Sequence, residues 1–184
     1  MEIFWNTIAR YNAATWPWQI AIVAAAAVLT VLLYLRTAQH VKRAMKLFLA
    51  GLNAWIAVVY YLVWCGQRSH SDVLALFWGI MAVIWLYDLY ADFTRFERTS
   101  RPNGFALLLY LMPLAYPLFS LARGLSFPMM TMPVMPCSVA VFTIGLMLAF
   151  THRINIFLVL FLCHWALIGL AKVYFFGIPE DFLL

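Results

Sequence analysis

Six long apolar runs limit this sequence to folds whose surface faces lipid. An α-helix needs about 20 apolar residues to cross a hydrocarbon core of about 30 Å. Runs of this kind lie at about residues 17–35, 46–65, 73–92, 104–122, 133–150 and 154–176. Each run is expected to be helical, because unpaired backbone polar groups cannot face lipid. We therefore predict an all-α polytopic transmembrane helix bundle with six spans, forming a single integral membrane domain over residues 1–184.

The composition supports a membrane protein whose main partner is the lipid bilayer. Of 184 residues, 66% are hydrophobic and 10% are charged, whereas a soluble domain carries about 25% charged residues. The net charge of +5 comes from basic residues scattered between apolar runs, so we predict no nucleic-acid partner. Three cysteines cannot all pair within one chain, and no disulfide framework is expected.

The distribution of Lys and Arg predicts the orientation of the bundle. Cytoplasmic connections carry an excess of these residues. Eight lie in the first, third and fifth connections, namely Arg36, Lys42, Arg43, Lys46, Arg95, Arg98, Arg101 and Arg153. Four lie near the opposite face, namely Arg10, Arg68, Arg123 and Lys172. We predict that the odd connections lie in the cytoplasm and that both termini lie outside.

The stretch before the first span has the pattern of an amphipathic helix. Over residues 2–12, apolar side chains recur at near-helical spacing, namely Ile3, Phe4, Ile8 and Tyr11. An N-terminal helix lying in the membrane interface is therefore expected. Trp16 and Trp18 follow it and flank Pro17, where an aromatic belt would form.

Ionisable residues inside a span are costly and mark candidate functional positions. Asp88 and Asp92 lie one helical turn apart near the inner end of the third span. They are expected either to pair with nearby Lys or Arg, including Arg95, or to let Asp88 act as a proton or cation site. His164 lies near the middle of the sixth span. It is interpreted as a neutral hydrogen-bonding partner or, alternatively, as a second proton or ion site.

The stretch "SFPMMTMPVMPCS" (126–138) raises the question of a metal. Thioether and thiolate sulfurs are soft ligands that suit Cu(I), and the candidates are Met129, Met130, Met132, Met135 and Cys137. The irregular spacing and the lack of a nearby histidine favour methionines that pack as flexible apolar side chains. We predict no metal site and keep copper handling as a lesser alternative.

Known catalytic patterns do not occur in the sequence. It contains no HExxH, no nucleophile elbow, no phosphate-binding loop and no CxxC. The sequence therefore predicts neither an enzyme nor a bound cofactor.

Three segments carry a resemblance to a known family: "ARYNAATWPWQ" (9–19), "MPCSVAVFTIGLML" (135–148) and "HWALIGLAKVYFFGIPEDF" (164–182). They resemble an uncharacterised bacterial multi-pass membrane family, the domain of unknown function 6064. The family pattern has "PCP" where this chain has Pro136-Cys137-Ser138, and the methionines of the 126–138 stretch lie outside it. The matching positions are Tyr11, Asn12, Trp16, Pro17, Pro136, Cys137, Phe142, Thr143, Gly145, Trp165, Gly169, Pro179, Glu180 and Asp181.

Under the predicted topology, these landmarks gather toward the outer face. We predict a ligand-binding site there, lined by Tyr11, Asn12, Trp16, Cys137, Lys172, Glu180 and Asp181. The leading hypothesis is a membrane protein that binds or transports a small solute through this site. The alternative is a non-transport scaffold or assembly partner whose outer cluster is a structural clasp.

Overall fold

The structure, a computed structural model, describes the backbone of residues 2–36, 38–66, 70–97 and 103–176. Side chains are described at residues 4–36, 38–66, 70–97 and 103–169.

Helices account for almost all of the described chain, which confirms the all-α class. The helices are α1 (Glu2–Leu35), α2 (Gln39–Trp55), α3 (Ser71–Ala91), α4 (Gly104–Ala122), α5 (Pro136–Phe150) and α6 (Ile156–Phe176). A π-helix over Ile56–Trp64 continues α2, and β1 (Arg95–Phe96) pairs antiparallel with β2 (Thr151–Arg153).

Four of the helical stretches are long and apolar enough to cross a membrane by length and composition. They are Phe4–Leu35, Gln39–Trp64, Ser71–Ala91 and Gly104–Ala122. The apolar helices Pro136–Phe150 and Ile156–Gly169 are shorter. At 1.5 Å per residue, α5 is only about 22 Å long, which is shorter than a hydrocarbon core of about 30 Å. The non-helical segment before α5 therefore has to occupy the remaining thickness of the bundle.

The first helix differs from its prediction in being continuous. Residues 2–12 are helical as expected, but they extend the first span as part of one 34-residue helix. Such a helix is about 51 Å long, well beyond the hydrocarbon core. Phe4 and Ile8 are buried against the bundle. The apolar face of this stretch therefore packs on protein, which explains why it does not form a separate element.

The connections meet at two opposite ends of the bundle. At the first, called here the basic end, the pairing of β1 with β2 joins the third and fifth connections, and Lys46 of α2 contacts the end of α3. At the second, called the Tyr11 end, the first part of α1 contacts the connection between α4 and α5. The third and fifth connections therefore meet at one end, and the fourth connection lies at the other.

The π-helix brings aromatic side chains into the core below the Tyr11 end. The Cys65 amide donates to the Tyr60 carbonyl, five residues earlier, at 2.9 Å. Tyr60 lies edge-on to Tyr11, with ring centroids 4.9 Å apart, and edge-on to Tyr61 at 5.0 Å. Because π-helices are rare and have no sequence signature in this apolar run, the sequence gives no warning of this geometry.

Helices α4 and α5 lie in close backbone contact at Gly145. A Cβ placed there would lie 2.4 Å from the Tyr110 nitrogen and 2.9 Å from the Leu109 carbonyl carbon. Only a residue without a side chain allows this contact, as is usual where membrane helices touch through their backbones.

We expect Gly145→Ala to separate α4 from α5. The added methyl group would meet backbone rather than a flexible side chain, so it should cost about 1–3 kcal/mol of unfolding free energy. The measurement is reversible unfolding in mixed micelles. Gly79→Ala is the matched control, because a Cβ at Gly79 meets nothing within 4 Å. Equal stability of the two variants would contradict the close contact.

Candidate functional site

The connection between α4 and α5 is a non-helical segment that enters the bundle. Met130, Thr131, Val134 and Met135 are buried, although this stretch forms no regular ladder of backbone hydrogen bonds. Irregular backbone at this depth is tolerated only where protein groups satisfy its N–H and C=O groups. The partners of these groups therefore determine how the Tyr11 end is built.

Two adjacent side chains of α1 satisfy three of these carbonyls. Asn12 Nδ2 donates to the carbonyls of Pro128 and Met130 at 2.9 and 2.8 Å. The Tyr11 hydroxyl donates to the carbonyl of Val134 at 2.6 Å. Both side chains are fully buried, and this set of contacts is called the clasp.

Hydroxyl groups complete the hydrogen bonding of the segment. The hydroxyls of Ser120 and Thr131 lie 2.6 Å apart, and the Thr131 amide donates to Ser120 Oγ at 3.0 Å. Ser138, in the first turn of α5, donates to the carbonyl of Met132 at 3.0 Å. The segment is thus bound to α1, α4 and α5 together.

The polar contacts of the clasp continue along α1 to Gln19. The Thr15 hydroxyl donates to the Tyr11 carbonyl at 2.7 Å. Gln19 Nε2 then donates to Thr15 Oγ1 at 2.9 Å and to Asn12 Oδ1 at 3.3 Å. Gln19 is 1% exposed, and its Oε1 has no hydrogen-bond partner within the described chain.

An apolar crevice begins where this polar stripe ends. It lies between α1, α2, α4 and α5 and has a cavity volume of about 70 Å³. Ala27 and Leu114, both exposed, lie at the mouth. Its other walls are Ile22, Val23, Ala26, Phe48, Leu52, Tyr110, Pro113, Pro133, Val134, Val139 and Phe142. Because Val134 also belongs to the clasp, the polar cluster borders the crevice directly.

The structure brings together some of the predicted ligand-binding residues and separates others. Tyr11 and Asn12 are neighbours in the clasp, whereas Trp16 is 47% exposed on the bundle surface. Cys137 is half-buried at the start of α5, between two groups of packed apolar side chains. The Lys172 side chain, Glu180 and Asp181 lie outside the described residues.

The methionines of the 126–138 stretch have different environments. Met129 is 40% exposed, while Met130 and Met135 are buried. The sulfur of Met135 accepts the amide N–H of Met132 at 3.2 Å. This contact and the burial support packing as the role of these side chains. Among the described residues, no group of three or more His, Cys, Asp and Glu side chains could hold a metal ion.

Asp88 lies at the basic end in a buried ion pair with Lys46. Its carboxylate is 3.0 Å from Lys46 Nζ, and their side chains are 0% and 3% exposed. The same Nζ donates to the Asp88 carbonyl at 3.0 Å and to Asp92 Oδ1 at 2.7 Å. This is the arrangement that the pairing interpretation predicts, although Lys46 rather than an exposed basic residue is the partner.

The ion pair extends into a network that joins α2 and the end of α3 to the third and fifth connections. Asp88 also accepts the amide N–H of Thr94, at 3.1 and 3.2 Å to its two oxygens, and Thr94 Oγ1 accepts the amide of Asn155 at 3.2 Å. The hydrogen bond from Lys46 lowers the pKa of Asp92, just beyond the end of α3, and the charge of Arg95 adds to this effect.

His164 lies apart from Asp88. Its side chain is exposed on α6, and its ring lies 5.5 Å from that of Phe77. Phe77 precedes Asp88 by eleven residues on α3, which corresponds to roughly 16 Å along the helix. The structure therefore does not bring the two candidate ion-site residues together.

Sequence reasoning missed several polar residues that the structure makes central. Thr15 and Gln19 follow Tyr11 at intervals of four residues, so a polar stripe on an otherwise apolar helix would have been the signal. Lys46 was counted with the first connection, because burial of a lysine depends on its partner. Thr94 and Asn155 carry no comparable signal, since their roles arise only when distant connections meet.

Comparisons with known proteins identify a family and no activity. A family model described as a family of unknown function (DUF6064) matches residues 1–184. No curated protein matches the chain, and no solved structure does.

Removing Lys46 alone should destabilise the protein far more than removing its charge together with that of Asp88. Lys46→Met leaves a buried carboxylate without its cation, which should cost about 3–5 kcal/mol. In Lys46→Met/Asp88→Asn the buried pair is neutral, and the amide oxygen can still accept the Thr94 N–H. We expect the double variant to recover more than half of the loss in micelle unfolding experiments.

Arg153→Gln serves as the control, because Arg153 is exposed at the same end and should change stability by less than about 0.5 kcal/mol. If the single and double variants lost the same stability, the ion pair would not be the stabilising contact.

Proposed function

We propose that this chain, a member of DUF6064, a family of unknown function, binds a small lipophilic molecule within the membrane. The main observation behind this proposal is the crevice between α1, α2, α4 and α5. Ligand pockets are concave, mainly apolar and supplied with a few polar groups. The crevice has apolar walls and the clasp at one end, and its exposed mouth allows entry from the bilayer.

The proposed ligand is lipophilic rather than water-soluble, and its proposed site is the crevice rather than the cluster around Tyr11 and Asn12. Tyr11 and Asn12 already bind backbone carbonyls, so a water-soluble solute would have to break the clasp to use them. A molecule dissolved in the bilayer can instead enter beside Ala27 and Leu114 without that cost. We propose binding, or movement of the molecule between the crevice and the bilayer, rather than catalysis.

A scaffold role is the second candidate, and the closed clasp favours it. Two fully buried α1 side chains bind the segment between α4 and α5, as expected of a purely structural device. Occupancy of the crevice separates the two functions, because a scaffold does not require a ligand there.

Filling the crevice should abolish ligand binding. We expect a long-chain alcohol with a photoactivatable diazirine to label α1, α4 or α5 saturably in purified protein. Val23→Trp should lower labelling about tenfold, because the indole would occupy space that the chain needs. Peptide mass spectrometry locates and quantifies the label.

Val28→Trp is the matched control, since Val28 lies on α1 and is 58% exposed on the bundle surface. It should label as the wild type does. Labelling that never saturates, or that is equal in both tryptophan variants, would exclude the crevice as a binding site and favour the scaffold.

We also propose that the membrane is a bacterial inner membrane, with the basic end in the cytoplasm and both termini outside. The charge bias supports this orientation. Of the described Lys and Arg side chains, Arg36, Lys42, Arg43, Lys46, Arg95 and Arg153 lie at the basic end, against Arg10 and Arg123 at the Tyr11 end.

Single cysteines at the two ends test the orientation. Ser126 and His152 are both exposed, at the Tyr11 end and the basic end respectively. In a cysteine-free background, we expect a membrane-impermeant maleimide to label Ser126→Cys in intact spheroplasts. His152→Cys should react only after the membrane is opened. The reverse pattern would invert the proposed orientation.

A further inference from the structure

The amide of Gln19 has a defined orientation, because its neighbours leave only one consistent arrangement of donors and acceptors. Both N–H groups of Asn12 are directed at backbone carbonyls, which turns its Oδ1 toward Gln19. The Thr15 hydroxyl donates a hydrogen bond to the Tyr11 carbonyl, so its oxygen accepts one from Gln19. Two acceptors therefore face Gln19, and its NH₂ group has to point toward them.

This orientation leaves Gln19 Oε1 as a buried acceptor. A buried polar atom without a partner destabilises the folded state, so proteins rarely keep one without a reason. The other buried side-chain acceptor of this kind in the described chain is Asn53 Oδ1. Gln19 and Asn53 have different positions relative to the crevice.

Gln19 lies on the helix face that forms the crevice wall. Ile22, Val23 and Ala26 follow it at intervals of three, four and seven residues, which places all four along one side of α1. Asn53 is displaced by about 100° from Leu52 and by about 140° from Phe48, the α2 residues in the wall. Gln19 is not itself a lining residue, but it precedes Ile22 by one turn on the same face of α1, whereas Asn53 does not share the face of Phe48 and Leu52.

We propose that the crevice binds one long apolar chain that ends in a hydroxyl group, and that this hydroxyl donates a hydrogen bond to Gln19 Oε1. The chain would lie along α1 from Gln19 toward Tyr110. Tyr11, Asn12 and Thr15 are uncharged, which favours a neutral donor over an ammonium group. This inference rests on the proposed function and specifies the chemical class of its ligand.

The test compares a fatty alcohol with its methyl ether, which has the same chain and cannot donate. Each competes with the diazirine probe for labelling of the full chain in micelles. We expect the alcohol to compete about tenfold better than the ether, since only the alcohol satisfies the buried acceptor. Gln19→Leu should remove this preference and leave competition by the ether unchanged.

Asn53→Leu is the matched control, because it removes the other buried acceptor and should preserve the preference for the alcohol. Equal competition by alcohol and ether in the wild type would overturn the inference while the crevice remained a binding site. A preference that persisted in Gln19→Leu would overturn it as well. Labelling that no competitor reduces would instead overturn the proposed function. The wild-type comparison decides the question even if Gln19→Leu fails to fold.

Discussion

The buried carbonyls between α4 and α5 impose the requirement on which the rest of this bundle depends. Each would cost several kcal/mol if it faced hydrocarbon without a donor. Tyr11 and Asn12 supply donors, and they can do so only if α1 holds one depth and one rotation beside the segment. Because α1 also forms one wall of the crevice, the position that the clasp imposes on α1 determines where that wall lies. The clasp and the crevice are therefore two consequences of one constraint.

Polar contacts hold both ends of the bundle, and mainly apolar side chains pack between them. At the basic end, Lys46 and Asp88 hold α2 against α3. Between the ends, α1 presents alanines to its neighbours, and Ala26 and Ala27 line the crevice. A small side chain at these positions leaves space that a leucine would fill. Helices held at both ends can keep such a space open, because closing it would require breaking buried hydrogen bonds.

The sequence predicts the helices well because length and hydropathy determine them locally. The fourth span, predicted at 104–122, matches Gly104–Ala122, and the predicted third span differs from Ser71–Ala91 by two residues or fewer at each end. The π-helix and the early start of α2 at Gln39 were missed, since both depend on packing rather than composition. Tyr11 and Asn12 were predicted to line a ligand-binding site. Their role as donors to distant carbonyls follows from contacts more than 100 residues apart, which no local pattern contains.

Binding and structural support need not compete at the Tyr11 end. The clasp residues already have backbone and side-chain partners within the protein, and these contacts stabilise the fold. The hydrogen bonds of Asn12 and Thr15 nevertheless affect Gln19, further along α1. Asn12 and Thr15 already donate hydrogen bonds to backbone carbonyls, so they present only acceptor oxygens to Gln19. These acceptors orient the Gln19 amide. The acceptor left at Gln19 is thus a product of folding, and in our proposal it selects a hydroxyl-bearing ligand for the crevice beside it.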